Sequence, residues 1–116
     1  MRTVYLDNGS TTKLDPKVAA SMQPYLTEKY GNASSLHSLG MEAREAVERS
    51  RDFIAKSIGA RGTEILFTSG GTEANNFALK GVAFANKDKG NQIITTKIEH
   101  DSILKSCQWL EKQGFK

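Results

Sequence analysis

The chain has 116 residues, of which 38% are hydrophobic and 25% charged, with two prolines and a single cysteine. This composition is typical of one folded domain and excludes collagen-like, disordered and disulfide-bonded proteins. The sixteen Lys and Arg residues are interspersed with thirteen Asp and Glu residues, for a net charge of +3, which favours a solvated surface over nucleic-acid binding.

Apolar runs are short throughout the chain. None reaches the length of a transmembrane helix or of the apolar part of a signal peptide. The one thiol, Cys107, cannot form an intramolecular disulfide, which agrees with a reducing compartment. We therefore expect a soluble cytoplasmic protein with no membrane partner.

The first third of the chain predicts a short strand, a helix and a loop. Residues 4–6 (VYL) are strand-like and stop at a turn-forming cluster. Asp15 predicts a helix N-cap and Pro16 the first helical residue. This helix has Pro24 inside it and is expected to stop at Gly31.

Residues 30–38 show no hydrophobic period and predict an exposed loop, in which His37 is expected to be solvated. Apolar residues then recur at spacings of three and four between Ala43 and Ile58. This pattern predicts a long amphipathic helix that ends at Gly59.

Strand and helix patterns alternate in the rest of the chain. Residues 64–68 and 93–96 predict strands, residues 74–85 and 101–114 predict helices, and residues 115–116 resemble the opening of another strand. The alternation indicates an α/β fold with a parallel or mixed sheet. Because two strands would leave unpaired sheet edges, we expect an incomplete sheet and the N-terminal part of a larger α/β protein.

The turn at residues 69–72 (SGGT) is a candidate phosphate site. A Gly-rich turn between strand and helix gathers unpaired backbone N–H groups where the helix dipole also favours an anion. Gly70 and Gly71 have no Cβ atom to obstruct a phosphate, and Thr72 offers a hydroxyl at the expected cap. An ordinary strand–helix turn explains the same residues about equally well.

Nucleotide-binding motifs are absent from this segment in their strict forms. Neither Gly-Lys-Ser/Thr nor Gly-x-Gly-x-x-Gly occurs there. Glu99, just past the second predicted strand, can imitate the acid that binds a ribose. A nucleotide-binding α/β module therefore stays as an alternative.

His100 is the second candidate, because it also follows a predicted strand. Ligands of α/β sheets gather at the carboxyl ends of strands, which places His100 on the same edge as the turn at 69–72. An imidazole there can stack on an aromatic cofactor or exchange a proton; alternatively, His100 caps a helix or bonds Asp101. Cys107 lies on an apolar stripe and is interpreted as a core thiol, and no metal-ligand spacing is present.

Four blocks resemble the N-terminal portion of cysteine desulfurases, the pyridoxal-phosphate (PLP) enzymes of the class V aminotransferase family with fold type I. They occur in the family's order: residues 5–12 (YLDNGSTT), 30–37 (YGNASSLH), 68–76 (TSGGTEANN) and 94–100 (ITTKIEH). Departures are small: Gly9 and Ser10 replace the usual Ala-Ala, and Ala33 stands where Pro is common.

The resemblance implies a cofactor site and a domain plan. Gly71 and Thr72 correspond to the pair that binds the PLP phosphate, and His100 to the catalytic histidine that stacks on the pyridine ring. Residues 1–12 correspond to an N-terminal arm and residues 13–116 to the first part of the PLP-binding large domain.

The implied activity takes sulfur from L-cysteine as an enzyme-bound persulfide, leaving alanine. The implied partners are a second copy in a homodimer and an iron–sulfur scaffold or other sulfur acceptor. In this family the cofactor-bearing lysine and the persulfide cysteine come later in the sequence, so residues 1–116 alone are expected to be inactive. The alternatives are another class V enzyme, such as a selenocysteine lyase, and a non-catalytic fragment that binds partners.

Overall fold

The computed structural model describes residues 3–116. Met1 and Arg2, the start of the predicted arm at 1–12, lie outside the described residues. The chain divides into two compact units, one ending at Ile65 and one comprising Leu66–Lys116. The first contains α1 (Pro16–Thr27), α2 (Ser38–Ser57) and a 3₁₀ turn (Gly62–Glu64), and the second contains α3 (Gly71–Ala85) and α4 (Asp101–Glu111).

Strands are absent from residues 3–116, so the strands predicted at 4–6, 64–68 and 93–96 are not present there. Glu64 instead ends the 3₁₀ turn, and its carboxylate accepts a hydrogen bond of 2.8 Å from the Arg61 backbone. A strand needs a neighbouring strand to pair its backbone groups. The described part of the chain supplies one such pairing, near its end, and does not confirm the predicted sheet.

That pairing joins residues 91–93 to Lys116. The Lys116 N–H donates to the Asn91 carbonyl (2.7 Å), and the Ile93 N–H donates to the Lys116 carbonyl (2.8 Å). Lys116 thus forms hydrogen bonds with the residues on either side of residue 92, which is the hydrogen-bond pattern of parallel pairing. These two hydrogen bonds do not make a sheet, so the parallel or mixed sheet stays a prediction.

α1 begins as the sequence predicts. The Asp15 carboxylate accepts a hydrogen bond of 2.7 Å from the Lys17 backbone, and Pro16 is the first helical residue. The helix ends at Thr27 and not at Gly31, because the Pro24 carbonyl accepts from the backbone N–H groups of both residues 28 and 29. Further helical bonds therefore cease a turn before the glycine.

Gly59 and Gly114 end α2 and α4 in the same way. Their φ angles are +69° and +92°, a region that glycine adopts without steric cost. At each end the glycine N–H bonds the carbonyl three residues back, and the next N–H bonds the carbonyl five residues back. These paired bonds form a Schellman motif and confirm both predicted stops.

The loop before α2 is held against that helix. The Arg44 guanidinium donates a hydrogen bond of 2.8 Å to the Ala33 carbonyl. Gly40, buried in the first turn of α2, lies so close to the loop that a Cβ atom there would stand 2.5 Å from the Ser35 carbonyl oxygen. The predicted loop is therefore present, with a fixed course over the start of α2.

Packing in the second unit is centred on the contact between α3 and α4. Leu110 is fully buried and Phe115 is 5% exposed. The Phe84 ring meets the rings of Trp109 and Phe115 edge-on, at centroid distances of 6.0 and 5.6 Å, a favoured aromatic geometry. Cys107, predicted in the core, is half-buried.

None of the helices in residues 3–116 is long and apolar enough to span a membrane.

Candidate functional site

The start of α3 is an uncapped helix N-terminus. Gly70 is the N-cap residue, and among the described residues no side chain accepts a hydrogen bond from this end of the helix. Thr72 is the second residue of α3, so the prediction that it stands at the cap is wrong by two positions. The first N–H groups of a helix have no intrahelical acceptor, so those of Gly71 and Thr72 remain donors for an anion.

The glycines of this turn border open space. A Cβ atom built at Gly70 or Gly71 would meet nothing within 4 Å. Gly70 is extended, and Gly71 lies in the helix, so neither backbone needs the left-handed region that favours glycine. The backbone of this turn is therefore open to close approach by another group.

Glu73 forms hydrogen bonds with Ser69, the first residue of the turn. Its carboxylate accepts hydrogen bonds from the Ser69 backbone N–H (2.7 Å) and the Ser69 hydroxyl (2.6 Å). Both bonds favour the charged form and lower the pKa of Glu73 below its ordinary value. The Ser69 amide is thus engaged by Glu73, whereas the N–H groups of Gly71 and Thr72 are among those at the start of α3 that precede its first helical hydrogen bond, from Ala74 to Gly70.

His100 is the N-cap residue of α4. Its Nδ1 atom accepts a hydrogen bond from the Ser102 backbone N–H (3.1 Å) and lies 2.8 Å from the Ser102 hydroxyl. The capping alternative for His100 is therefore present in the structure. His100 is an exposed residue, and the cap uses its Nδ1 atom and not Nε2.

One open groove brings Thr72 and His100 together. It has a volume of about 410 Å³ and lies between α3 and α4. Its other lining residues are Asn76, Lys80, Asp101, Ser102, Lys105, Ser106 and Trp109. Gly71 adjoins Thr72 in sequence but is not among the residues that line the groove.

A second hollow, of about 420 Å³, lies beside α3 and carries no comparable chemistry. Its walls include Leu79, Val82, Ile93 and Phe115, and none of its lining side chains titrates. Residues 3–116 also contain no group of three His, Cys, Asp or Glu side chains able to hold a metal ion. The groove between α3 and α4 is the candidate site because it brings together Thr72 and His100, the two residues that the sequence motifs indicated.

His37 is also an exposed helix cap. Its Nδ1 atom accepts a hydrogen bond of 3.3 Å from the Gly40 backbone at the start of α2. Asn75 and Ser102, which contact each other beside His100, were not singled out from the sequence. The signal available was local: Ser102 is two residues after His100, and Asn75 lies one helical turn after Thr72.

The amino-acid sequence matches a known protein family. Residues 4–116 match the family model described as Aminotransferase class-V. The chain is 56% identical over 114 residues to a protein named cysteine desulfurase IscS from Dictyoglomus turgidum, covering 98% of this chain and 29% of that protein. It is 49% identical to a protein of the same name from Methanosarcina thermophila, covering 98% of this chain and 28% of the relative.

Solved structures of related proteins are also similar to this chain. The fold is similar to that of a NifS-like protein, with a TM-score of 0.85 and 41% identity over 94% of this chain and 30% of that one. It is also similar to SspA in complex with cysteine, with a TM-score of 0.86 and 37% identity over 98% of this chain and 33% of that one. The chain thus spans about a third or less of the length of these proteins.

Proposed function

Because the chain belongs to the aminotransferase class-V family, we propose that it contributes the first part of a PLP-dependent cysteine desulfurase. Residues 1–12 then form an N-terminal arm, and residues 13–116 open the cofactor-binding large domain. The relatives named cysteine desulfurase support this activity. The observation that carries it for this chain is the groove that Thr72 and His100 share.

The first residues of α3 fit the phosphate of PLP, and the groove beside them fits its ring. The open space beside Gly70 and Gly71, together with the uncapped start of α3, accepts an anion. The N–H groups of Gly71 and Thr72 and the Thr72 hydroxyl then bind the phosphate. His100 offers an exposed flat ring within the same groove, as stacking on a pyridine requires.

PLP, when bound, supplies an electron sink for bond cleavage in an amino-acid substrate. In this chain, Gly71 and Thr72 orient the cofactor through its phosphate. His100 covers the ring and exchanges protons at Nε2, because Nδ1 is occupied by the cap of α4. These are binding, orienting and proton-transfer roles.

L-cysteine is the proposed substrate, with alanine and an enzyme persulfide as products. The SspA structure holds cysteine, which supports this choice of amino acid. The sulfur then passes to an iron–sulfur scaffold or another acceptor, and we propose a cytoplasmic homodimer as the working form.

The test combines cofactor selectivity with product analysis. We expect the purified protein to bind PLP far more tightly than pyridoxal, which lacks the phosphate, and to form alanine and sulfane sulfur in equal amounts from L-cysteine. For residues 1–116 alone we expect weak PLP binding and no sulfide release. Binding of ATP or NAD in place of PLP would overturn the proposal, and a strong preference for selenocysteine would indicate a selenocysteine lyase.

A further inference from the structure

A chain of hydrogen bonds links α3 to the imidazole of His100. The Asn75 side-chain amide donates to the Ser102 hydroxyl at 2.8 Å, across 27 residues of sequence. The Ser102 hydroxyl lies 2.8 Å from His100 Nδ1. The Ser102 backbone N–H donates to the same nitrogen at 3.1 Å.

The direction of these bonds follows from the chemistry of the groups. An amide NH₂ and a backbone N–H can only donate. The Ser102 oxygen therefore accepts from Asn75, and its own proton is free to point at His100 Nδ1. With two donors facing it, Nδ1 acts as an acceptor, and the ring proton of neutral His100 resides on Nε2.

Ser102, the middle residue of this chain of hydrogen bonds, is buried. Ser102 is 7% exposed and Ser106 is 2% exposed, and the Ser106 hydroxyl donates to the Ser102 carbonyl at 2.7 Å. A buried hydroxyl needs protein partners because water does not reach it readily. The Ser102 hydroxyl has two partners, Asn75 on one side and His100 on the other.

We propose that Asn75 and Ser102 are positioning residues that hold His100 as the Nε2–H tautomer with a fixed ring orientation. The functional meaning of this rests on the proposed role of His100 at the cofactor. Nε2 is then the one nitrogen that can exchange a proton with a ligand in the groove. Through Asn75, the tautomer of His100 depends on the position of α3, the helix whose first turn carries the proposed phosphate donors.

His37 provides the contrast within the same chain. It also caps a helix through Nδ1, but by a longer bond of 3.3 Å to the Gly40 backbone. Gly40 has no side chain, so it cannot add a hydroxyl donor of the kind that Ser102 supplies. A helix cap alone therefore does not reproduce the contacts of His100.

The test is the histidine tautomer, measured by two-bond ¹H–¹⁵N correlation NMR on protein labelled with ¹⁵N-histidine. His100→Gln assigns the signals. We expect His100 to be the Nε2–H tautomer in the unmodified protein. Ser102→Ala should lower the ratio of Nε2–H to Nδ1–H about two- to tenfold, the usual worth of one net hydrogen bond, and Ser102→Thr should restore it.

Asn75→Asp tests the relay without changing side-chain size. A carboxylate accepts the Ser102 proton and turns it away from His100, so the same loss of tautomer preference is expected. Asn86→Asp is the control: it adds the same charge at the other end of α3, outside the groove, where the Asn86 amide bonds the Val82 carbonyl and not Ser102, and it should leave the ratio unchanged. The His37 signals should stay unchanged in every variant.

An equal mixture of His100 tautomers in the unmodified protein would overturn the proposal, as would Ser102→Ala and Asn75→Asp leaving the ratio unchanged. The measurement needs no cofactor, so its result is separate from that of the desulfurase assay. If the tautomer depends on Asn75 and Ser102 but His100 variants keep full turnover with L-cysteine, the positioning role stands and the proposed role of His100 fails.

Discussion

The Glu73 carboxylate accepts two hydrogen bonds from Ser69, one from its backbone N–H at 2.7 Å and one from its hydroxyl at 2.6 Å. Glu73 lies in the first turn of α3, where the helix dipole also favours a negative charge. The Glu73 carboxylate therefore bridges the two ends of the turn that carries the proposed phosphate donors. The geometry of this turn depends on whether Glu73 is ionised.

We predict that Glu73→Gln makes the protein less sensitive to acid. The pKa of Glu73 is lowered from 4.5 in the folded protein, so its ionised form adds stability above the unfolded pKa. This contribution is lost as the pH falls through the folded pKa. Denaturation midpoints measured from neutral pH to below 4.5 should therefore fall more steeply for the unmodified protein than for Glu73→Gln.

Glu111→Gln is the control for loss of one carboxylate, because Glu111 is exposed at the end of α4, away from the turn. It should leave the steep fall below pH 4.5 in place. Parallel curves for Glu73→Gln and the unmodified protein would show that the bonds to Ser69 add nothing to acid stability.

We predict that Thr72→Val weakens PLP binding about ten- to a hundredfold. The substitution keeps the branched shape and removes the hydroxyl, and a hydrogen bond to a charged group is worth about 1.5–3 kcal/mol. The dissociation constant is measured by titration of the cofactor-free protein. Thr72→Ser should retain most of the affinity.

Thr63→Val is the matched control, since Thr63 lies in the 3₁₀ turn of the other compact unit. It should bind PLP like the unmodified protein. Equal dissociation constants for Thr72→Val and Thr63→Val would remove the Thr72 hydroxyl from the phosphate site.

Several helix limits were predictable because they depend on neighbouring residues, although α1 ends before Gly31 and α3 begins at Gly71 and not at residue 74. The carboxylate of Asp15 reaches Lys17, and Gly59 and Gly114 supply the left-handed residues that end two helices. The presence of strands was not predictable in the same way, because a strand forms only where another segment pairs with it. Ile94 and Ile98 remain 90% and 94% exposed, so an apolar, β-prone pattern did not produce a strand on its own.

The candidate site shows the same division between local and distant determinants. Gly71, Thr72 and His100 were identified from motifs that are each contiguous in sequence. The bond between Asn75 and Ser102 joins residues 27 apart, and it depends on how α3 packs on α4. The short spacings from Thr72 and from His100 could have indicated each residue, but no local pattern shows that the two side chains are in contact.

We predict that Gly40→Ala destabilises the first unit by about 1–3 kcal/mol. A Cβ atom at Gly40 would stand 2.5 Å from the Ser35 carbonyl oxygen and 2.7 Å from that of Asn32. Both neighbours are backbone, so the loop must shift to admit the methyl group. Urea unfolding followed by circular dichroism measures the loss.

Gly81→Ala is the opposite case, because a Cβ atom there meets nothing within 4 Å and Gly81 lies inside α3. Replacing an interior helical glycine by alanine should stabilise the protein by up to about 1 kcal/mol. If Gly40→Ala leaves the unfolding midpoint unchanged or raises it as Gly81→Ala should, the close contact at Gly40 has no energetic weight.

Two substitutions of His100 separate its structural contact from its proposed chemistry. His100→Ala removes both the cap of α4 and the imidazole, whereas asparagine is among the best N-cap residues and His100→Asn keeps the cap. We therefore predict that only His100→Ala loses stability, by about 0.5–2 kcal/mol. Thermal unfolding of the two variants measures this difference.

Turnover with L-cysteine should respond differently from stability. Both His100→Ala and His100→Asn lose the group that exchanges a proton, which typically contributes 10²–10⁴-fold to rate. Ring stacking is worth only about 0.5–1.5 kcal/mol, so PLP occupancy at saturating cofactor should fall little. A rate that falls only in proportion to occupancy would make His100 a platform for the ring without a role in proton transfer. Full turnover by His100→Asn would mean that the helix cap, and not the imidazole, is what the reaction requires at this position.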